Sequence, residues 1–322
     1  MPKITQADRN PFPFSDTNKR YYTYDHYLKR TFGSKVAKIT LDAGFTCPNI
    51  DGKCAFGGCI YCSGRGSGDF AGNPLDSITR QLDEGIARMS SKWKTDKIIP
   101  YFQAHTNTYA PLEVIRPLFD EALAYEGAVG LNVATRADCL EDDVIAYLDQ
   151  LSQRAVITVE LGLQSANDET ARLINRGHDY KTFVDGYNRL RRGAPRVAVC
   201  IHIIHGLPGE TREDMQETVK KVASLRPDQV KIHLLHVISN TVLCEMYERG
   251  EYLPMEREEY ISCVCDSLEL LPPETVIARL TGDGAPDSLV APEWSRKKVT
   301  VINDIDKELF RRDSYQGRLY KG

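Results

Sequence analysis

Four cysteines, Cys47, Cys54, Cys59 and Cys62, fall within sixteen residues of this sequence. Thiolates so crowded are ligands for zinc or for an iron–sulfur cluster. Gly52, Gly57, Gly58, Gly64, Gly66 and Gly68 are interspersed with them, and a glycine-rich stretch runs on to Gly72. Such backbone can wrap closely round a group and turn its amides toward an anion, which a packed helix cannot do. Most iron–sulfur clusters take four thiolates; a set of three leaves one iron open to another molecule, the condition for chemistry at the cluster and not electron storage alone. Cys59-Ile60-Tyr61-Cys62 supplies a close pair, and either Cys47 or Cys54 stands upstream to complete a triad. A zinc site built from all four thiolates is the rival, but structural zinc usually draws on two close pairs and this segment has one. Cys139, Cys200, Cys244, Cys263 and Cys265 sit in apolar strand-like or helix-like segments, where buried thiols are ordinary. His202, His205, His233 and His236 cluster late in the chain, each as fit to fill a core as to bind substrate or move a proton.

Elements must bring these residues together. Short β-branched or apolar runs recur at Val36–Leu41, Lys97–Phe102, Val129–Val133, Ala155–Leu161, Val197–Ile203 and Gln229–Leu235. Between them lie helical patterns: Ile78, Leu82, Ile86 and Met89 on one face after Asn73-Pro74, then Pro111–Tyr125, Leu140–Leu151, Asp168–Ile174 and Thr211–Leu225. Asn73-Pro74 reads as an N-cap with proline in the first turn, and Thr211 with Asp214 as a capping box. Strands alternating with helices give βαβ units and a parallel sheet. The expectation is an α/β fold, a partial TIM-type (β/α)6 barrel at 38–280, with a basic N-terminal extension at 1–37 and a C-terminal helical cap at 281–322. Two more helices, Arg257–Leu271 and Lys297–Arg312, flank a loop-like Thr281–Ala291.

With the motifs placed on these elements, the chain resembles the radical S-adenosylmethionine (SAM) superfamily, in its YhcC/YtqA-like branch, akin to the elongator catalytic-subunit and oxygen-independent coproporphyrinogen-oxidase groups. The resemblance is carried by Asp42–Cys62 with the following Gly-Ser-Gly-Asp, Tyr101-Phe102-Gln103 with Asn107-Thr108-Tyr109, and Thr135-Arg136-Ala137-Asp138-Cys139-Leu140. It continues through Glu160-Leu161-Gly162-Leu163-Gln164, Asn175-Arg176-Gly177-His178, Gly206-Leu207-Pro208-Gly209-Glu210-Thr211 and Lys231-Ile232-His233-Leu234-Leu235-His236. It implies a [4Fe-4S] cluster on Cys47, Cys59 and Cys62, since in this branch the first ligand lies eleven residues before the second. Cys54 is then a neighbouring thiol. It also implies SAM binding by Gln103, Asn107 and Thr108 after the second strand, by Glu160 and Gln164 toward the ribose, by Arg176 toward the carboxylate, and by His202 where the coproporphyrinogen-oxidase group has an acid. These positions follow strand C-terminal ends, where barrel enzymes collect functional groups.

What such an enzyme acts on is a separate matter. The relatives' link to tRNA implies conversion of a carboxymethylaminomethyl wobble uridine to its aminomethyl form, with flavodoxin or ferredoxin as one-electron reductant. The net charge is −4, yet residues 1–38 carry eight Lys or Arg against three acids and residues 295–322 eight against four. Basic ends around an acidic body suit a polyanion. Tyr21, Tyr22, Tyr24 and Tyr27, interleaved with Lys19, Arg20, Lys29 and Arg30, could stack on unpaired bases. Radical chemistry on a small metabolite or peptide, and a zinc-stabilised RNA-binding module, are the alternatives. No apolar run reaches the roughly 18 residues of a membrane span, and the polar N-terminus has no secretory h-region, so a cytoplasmic enzyme with no membrane partner is expected.

Overall fold

A computed structural model describes residues 10–66, 68–90, 95–282 and 284–322. Residues 1–9 of the expected extension, Ser67 of the Gly-Ser-Gly-Asp stretch and Asp283 of the expected late loop lie outside the described residues.

Most of the apolar runs form strands buried on both faces, the condition under which parallel strands read as continuous hydrophobic stretches, while Ala37–Leu41 alternates buried and half-buried residues. These are β1 (Ala37–Leu41), β2 (Ile98–Phe102), β3 (Gly130–Thr135), β4 (Val156–Gln164), β5 (Ala198–His205) and β6 (Gln229–Leu234). A short β7 (Val237–Ile238) follows, then β8 (Val276–Arg279) and β9 (Leu289–Ala291). Among the described residues, β1 to β6 and β8 make one parallel, curled half-barrel sheet in chain order, while β7 and β9 pair antiparallel beside it. The sequence reading holds six of these seven strands. Val276–Arg279 is only four residues long, too short a run to stand out from the loop around it.

Helices cover the outer face: α1 (Tyr24–Phe32), α2 (Ile78–Ser90), α3 (Leu112–Ala124), α4 (Asp142–Ser152), α5 (Asp168–Leu173), α6 (Tyr180–Gly193) and α7 (Arg212–Leu225). Then come α8 (Val242–Glu248), α9 (Arg257–Leu270) and α10 (Lys298–Arg311). The capping box at Thr211 and Asp214 is present, each side chain meeting the other's backbone N–H. Asn73-Pro74, by contrast, is a turn and not a cap. The Asn73 side chain accepts from Leu75 N at 3.2 Å, and the helix begins later, with Ser77 Oγ accepting from Arg80 N at 3.2 Å. Helix α6 is an addition, packed through Phe183, Tyr187 and Leu190 on one face after its Asp179 cap.

The N-terminal segment spans the gap between the open edges of the sheet. The Tyr22 carbonyl accepts from Ile277 N on β8 at 2.8 Å, and the Tyr24 ring lies 5.0 Å from Lys38 Nζ on β1. Several of its aromatic and basic residues are therefore engaged within the protein, while Lys29 and Arg30 are exposed. Tyr21 and Tyr22 are buried; Phe14 stacks on Tyr22 at 5.5 Å and Tyr24 on Tyr27 at 5.9 Å. Lys19 pairs with Asp306, Arg20 with Asp313 while lying over the Phe310 ring, and Lys29 with Asp25. Of the four rings expected to stack on RNA bases, Tyr24 and Tyr27 stack on each other and Tyr22 on Phe14. No helix among the described residues is long and apolar enough to cross a membrane.

Candidate active site

The loop after β1 carries the four cysteines to the C-terminal mouth of the half-barrel. Its shape is fixed by local bonds: Ile50 N donates to the Cys47 carbonyl at 2.8 Å, Gly58 N to the Asn49 carbonyl at 2.9 Å, and Cys62 N to the Cys59 carbonyl at 3.0 Å. The segment after α5 grips it from across the mouth. Asn175 donates to the Phe56 and Gly58 carbonyls at 2.9 and 2.7 Å, and Asn49 Nδ2 donates to the Asn175 carbonyl and lies 3.4 Å from Cys59 Sγ. The approach demands glycine at 177, because a Cβ there would stand 2.0 Å from Asn49 Oδ1.

Below this loop lies a cleft of about 390 Å3, whose lining includes Cys47, Cys59 and Cys62 but not Cys54. Cys54 is exposed, its Sγ 3.8 Å from Asp138 Oδ2. A hydrogen bond from Cys62 holds the Cys59 thiol well below the ordinary thiol range, and the Arg176 and Arg136 guanidiniums add to this against the effect of burial. The same contact, with burial, pushes Cys62 up. Of this pair, Cys59 is thus the one whose thiolate the site favours. Arg136 is held by Asp138 at 2.8 and 2.9 Å and donates to the Arg176 carbonyl at 2.7 Å. Arg176 bonds the Gly162 carbonyl, and its buried Nε has no partner among the described residues.

The floor is a charged cluster on inward-facing strand positions. Glu160 on β4 is fully buried. One carboxylate oxygen accepts from Lys38 Nζ at 2.9 Å and Asn132 Nδ2 at 2.7 Å; the other meets His202 Nε2 at 2.9 Å and accepts from Lys231 Nζ. Burial alone would push its carboxyl up, but Lys231 and Lys38 outweigh burial and hold it well below the usual range. The two ammonium groups sit 4.5 and 4.7 Å from the centre of the Tyr101 ring. Burial lowers Lys231 to about 8 and His202 to about 4. It also drives His233 well below the ordinary imidazole value, with repulsion from His202 adding to the effect.

Of the residues expected to bind SAM, the fold brings Gln103, Glu160, Gln164, Arg176 and His202 to this one cleft. Asn107 and Thr108 are not among its lining residues. Asn107 Nδ2 bonds the carbonyls of Phe102, Ala104 and Ala134 at 3.2, 3.0 and 2.9 Å, and Thr108 Oγ1 lies 2.6 Å from Thr135 Oγ1. Both brace the chain after β2, and their neighbours His105 and Thr106 line the cleft instead. His205 is a satisfied core residue, its Nε2 2.8 Å from Ser267 Oγ, whereas His233 and His236 face the cleft. Sequence reasoning missed Arg136, Tyr101, Lys231 and Arg279 as lining residues. For Lys231 a signal existed: a lysine inside an apolar parallel strand has only the lumen in which to place its charge.

Two family models match the chain: the one described as the radical SAM superfamily over residues 49–222, and the one described as the Radical_SAM C-terminal domain over residues 227–311. The chain is 49% identical to the protein YtqA of Bacillus subtilis strain 168 over 312 residues, 97% of this chain and 96% of that protein. It is 30% identical to a tRNA uridine(34) acetyltransferase of Methanocaldococcus infernus over 159 residues, 48% of this chain and 29% of that protein. The solved structure of the archaeal M. infernus Elp3 with an N-terminal deletion resembles it with a TM-score of 0.66 at 22% identity, over 88% of this chain and 64% of that one.

Proposed function

The chain belongs to the radical SAM superfamily, in its YhcC/YtqA-like branch, and from that premise we propose that it modifies the wobble uridine of tRNA, converting a carboxymethylaminomethyl side chain to the aminomethyl form. The family's cofactors are a [4Fe-4S] cluster and SAM, which together supply a 5′-deoxyadenosyl radical able to take a hydrogen atom from carbon. The donor set on this chain fits them. Cys47, Cys59 and Cys62 face one cleft at the strand C-termini while Cys54 points away, and this is the observation that carries the cofactor assignment.

In this reading Cys47, Cys59 and Cys62 would hold the cluster, with SAM bound beside it in the same cleft. Asn49 gives an N–H toward the Cys59 sulfur, the kind of contact that tunes a cluster's potential. Arg176, with its unused buried Nε, would bind the SAM carboxylate, and Gln103 and Gln164 would supply amides to the rest of the cofactor. The loop tied down by Asn175 forms one wall of the cleft. A one-electron reductant of the flavodoxin or ferredoxin class completes the system.

The substrate assignment is supported by the likeness to the tRNA uridine(34) acetyltransferase, a protein named for action at the same nucleotide. Mass spectrometry of tRNA nucleosides from a strain lacking the protein tests it: carboxymethylaminomethyl uridine should accumulate at the expense of aminomethyl-derived forms. An unchanged wobble profile would turn the reading to a small metabolite or peptide, which the engagement of the N-terminal tyrosines within the protein also favours.

A further inference from the structure

The lysine on β6 has a donor, and the histidine a ring nitrogen, that the protein does not use. Lys231 and His233 are two residues apart on one strand and so face the same side of the sheet, into the cleft. An ammonium has three N–H donors. Among the described residues Lys231 gives one to Glu160 and one to the Tyr101 hydroxyl at 3.4 Å, which leaves a third. His233 Nε2 is buried and has no hydrogen-bond partner among the described residues. Arg279 on β8 is opposite Lys231 in the strand register and also lines the cleft.

The nearby carboxylate cannot take up these donors. Glu160 already accepts from Lys38, Asn132 and Lys231 and contacts His202, so both of its oxygens are occupied. Buried donors without acceptors and cations in a low-dielectric site are costly, and an entering anion relieves both costs. At the cysteine end of the cleft, Arg176 offers a separate position for the SAM carboxylate.

We propose that Lys231, His233 and Arg279 form a subsite for a carboxylate of the substrate. The inference rests on the wobble-uridine reading, in which the group removed ends in a carboxymethyl unit, and deepens it. Two donors from one strand and a guanidinium from the next suit the two oxygens of a planar carboxylate. Holding that end at the floor fixes the depth of the adjacent methylene carbon in the cleft. The floor thus selects among side chains by charge, favouring one that ends in an acid over one that ends in a neutral group of equal size.

The test is calorimetric titration of the cluster-loaded, SAM-bound enzyme with N-methylglycine, which reproduces the end of that side chain, and with N-methylglycinamide, its neutral-ended counterpart. We expect the acid to bind at least tenfold tighter. Lys231→Met and Arg279→Gln should each reduce that preference below threefold. Lys181→Met, which removes a surface cation on α6 paired with Asp185 away from the floor, should retain it. A wild-type preference below twofold overturns the proposal. So does an equal loss of the preference in Lys181→Met, which would make the effect one of overall charge and not of the floor. So too does weakened SAM binding in Lys231→Met and Arg279→Gln with the acid preference intact, since the floor would then serve the cofactor. A clear acid preference beside an unchanged tRNA profile would sustain the subsite and remove the wobble-uridine reading.

Discussion

Asn175 holds the cysteine loop through Gly58: its side-chain amide donates to the Gly58 carbonyl at 2.7 Å, one residue before Cys59. Asn175 has φ +54°, a left-handed conformation that asparagine tolerates better than most residues, and this turns its amide toward the loop. Asn49 answers from the loop side by donating to the Asn175 carbonyl. The mouth of the half-barrel is thus clasped by two asparagines 126 positions apart in the chain.

Asn175→Ala removes both bonds to the loop and places a poorer residue at positive φ. We expect a loss of about 1–3 kcal/mol in stability and faster loss of iron from the reconstituted protein. Anaerobic iron release to a chelator measures it; a release rate equal to wild type would show that the clasp does not secure the cluster.

The cysteines should separate by position. Cys47→Ala, Cys59→Ala and Cys62→Ala are expected to abolish cluster binding, and Cys54→Ala to retain it, because Cys54 is exposed outside the cleft. Iron and sulfide analysis with the visible spectrum under argon decides this. Loss of the chromophore in Cys54→Ala alone would reassign the triad.

Glu160 is the counter-charge of the floor. Glu160→Gln leaves the buried Lys231 and the half-buried Lys38 without a carboxylate, and breaking a buried pair in this way costs about 3–5 kcal/mol, to be read from denaturant unfolding. The sign of the pH dependence follows from its depressed folded pKa. The stabilisation is present above the ordinary carboxyl value of 4.5 and is lost as pH falls below it. Wild type should lose this stability on acidification, whereas Glu160→Gln should show a flatter acid limb.

Arg20 is a structural cation. Its guanidinium donates to the Ser314 carbonyl and Asp313 at 3.2 Å and covers the Phe310 ring, which joins the N-terminal segment to the end of α10. Arg20→Ala should lower the melting temperature by several degrees, as a loss of about 1–2 kcal/mol does, and leave the salt dependence of tRNA binding unchanged. A flattened salt slope with an unaltered melting curve would restore the basic extension as an RNA contact.

Much of the architecture was legible because it rests on local patterns. Six strands and most helices follow from apolar runs, periodicity and caps such as Thr211 with Asp214. The cysteine loop was legible because thiols and glycines at close spacing have few other uses. Val276–Arg279, Tyr24–Phe32, Tyr180–Gly193 and Val242–Glu248 escaped because their signals were short or masked by charge: α6 has Arg189, Arg191 and Arg192 among its apolar positions.

The sequence by itself determined the family, the βα alternation and the thiol ligand set's neighbourhood, since each is encoded in residues close together along the chain. Only the tertiary structure decided which thiols share a cleft, that Asn107 and Thr108 turn inward to carbonyls, and that the tyrosines of the extension pack on one another. It alone assembled Lys38, Asn132, Glu160, His202 and Lys231 into one charged floor. The physical reason is that curling a parallel sheet brings alternate residues of distant strands to a common interior, where burial makes each charge depend on partners that the linear chain keeps far apart.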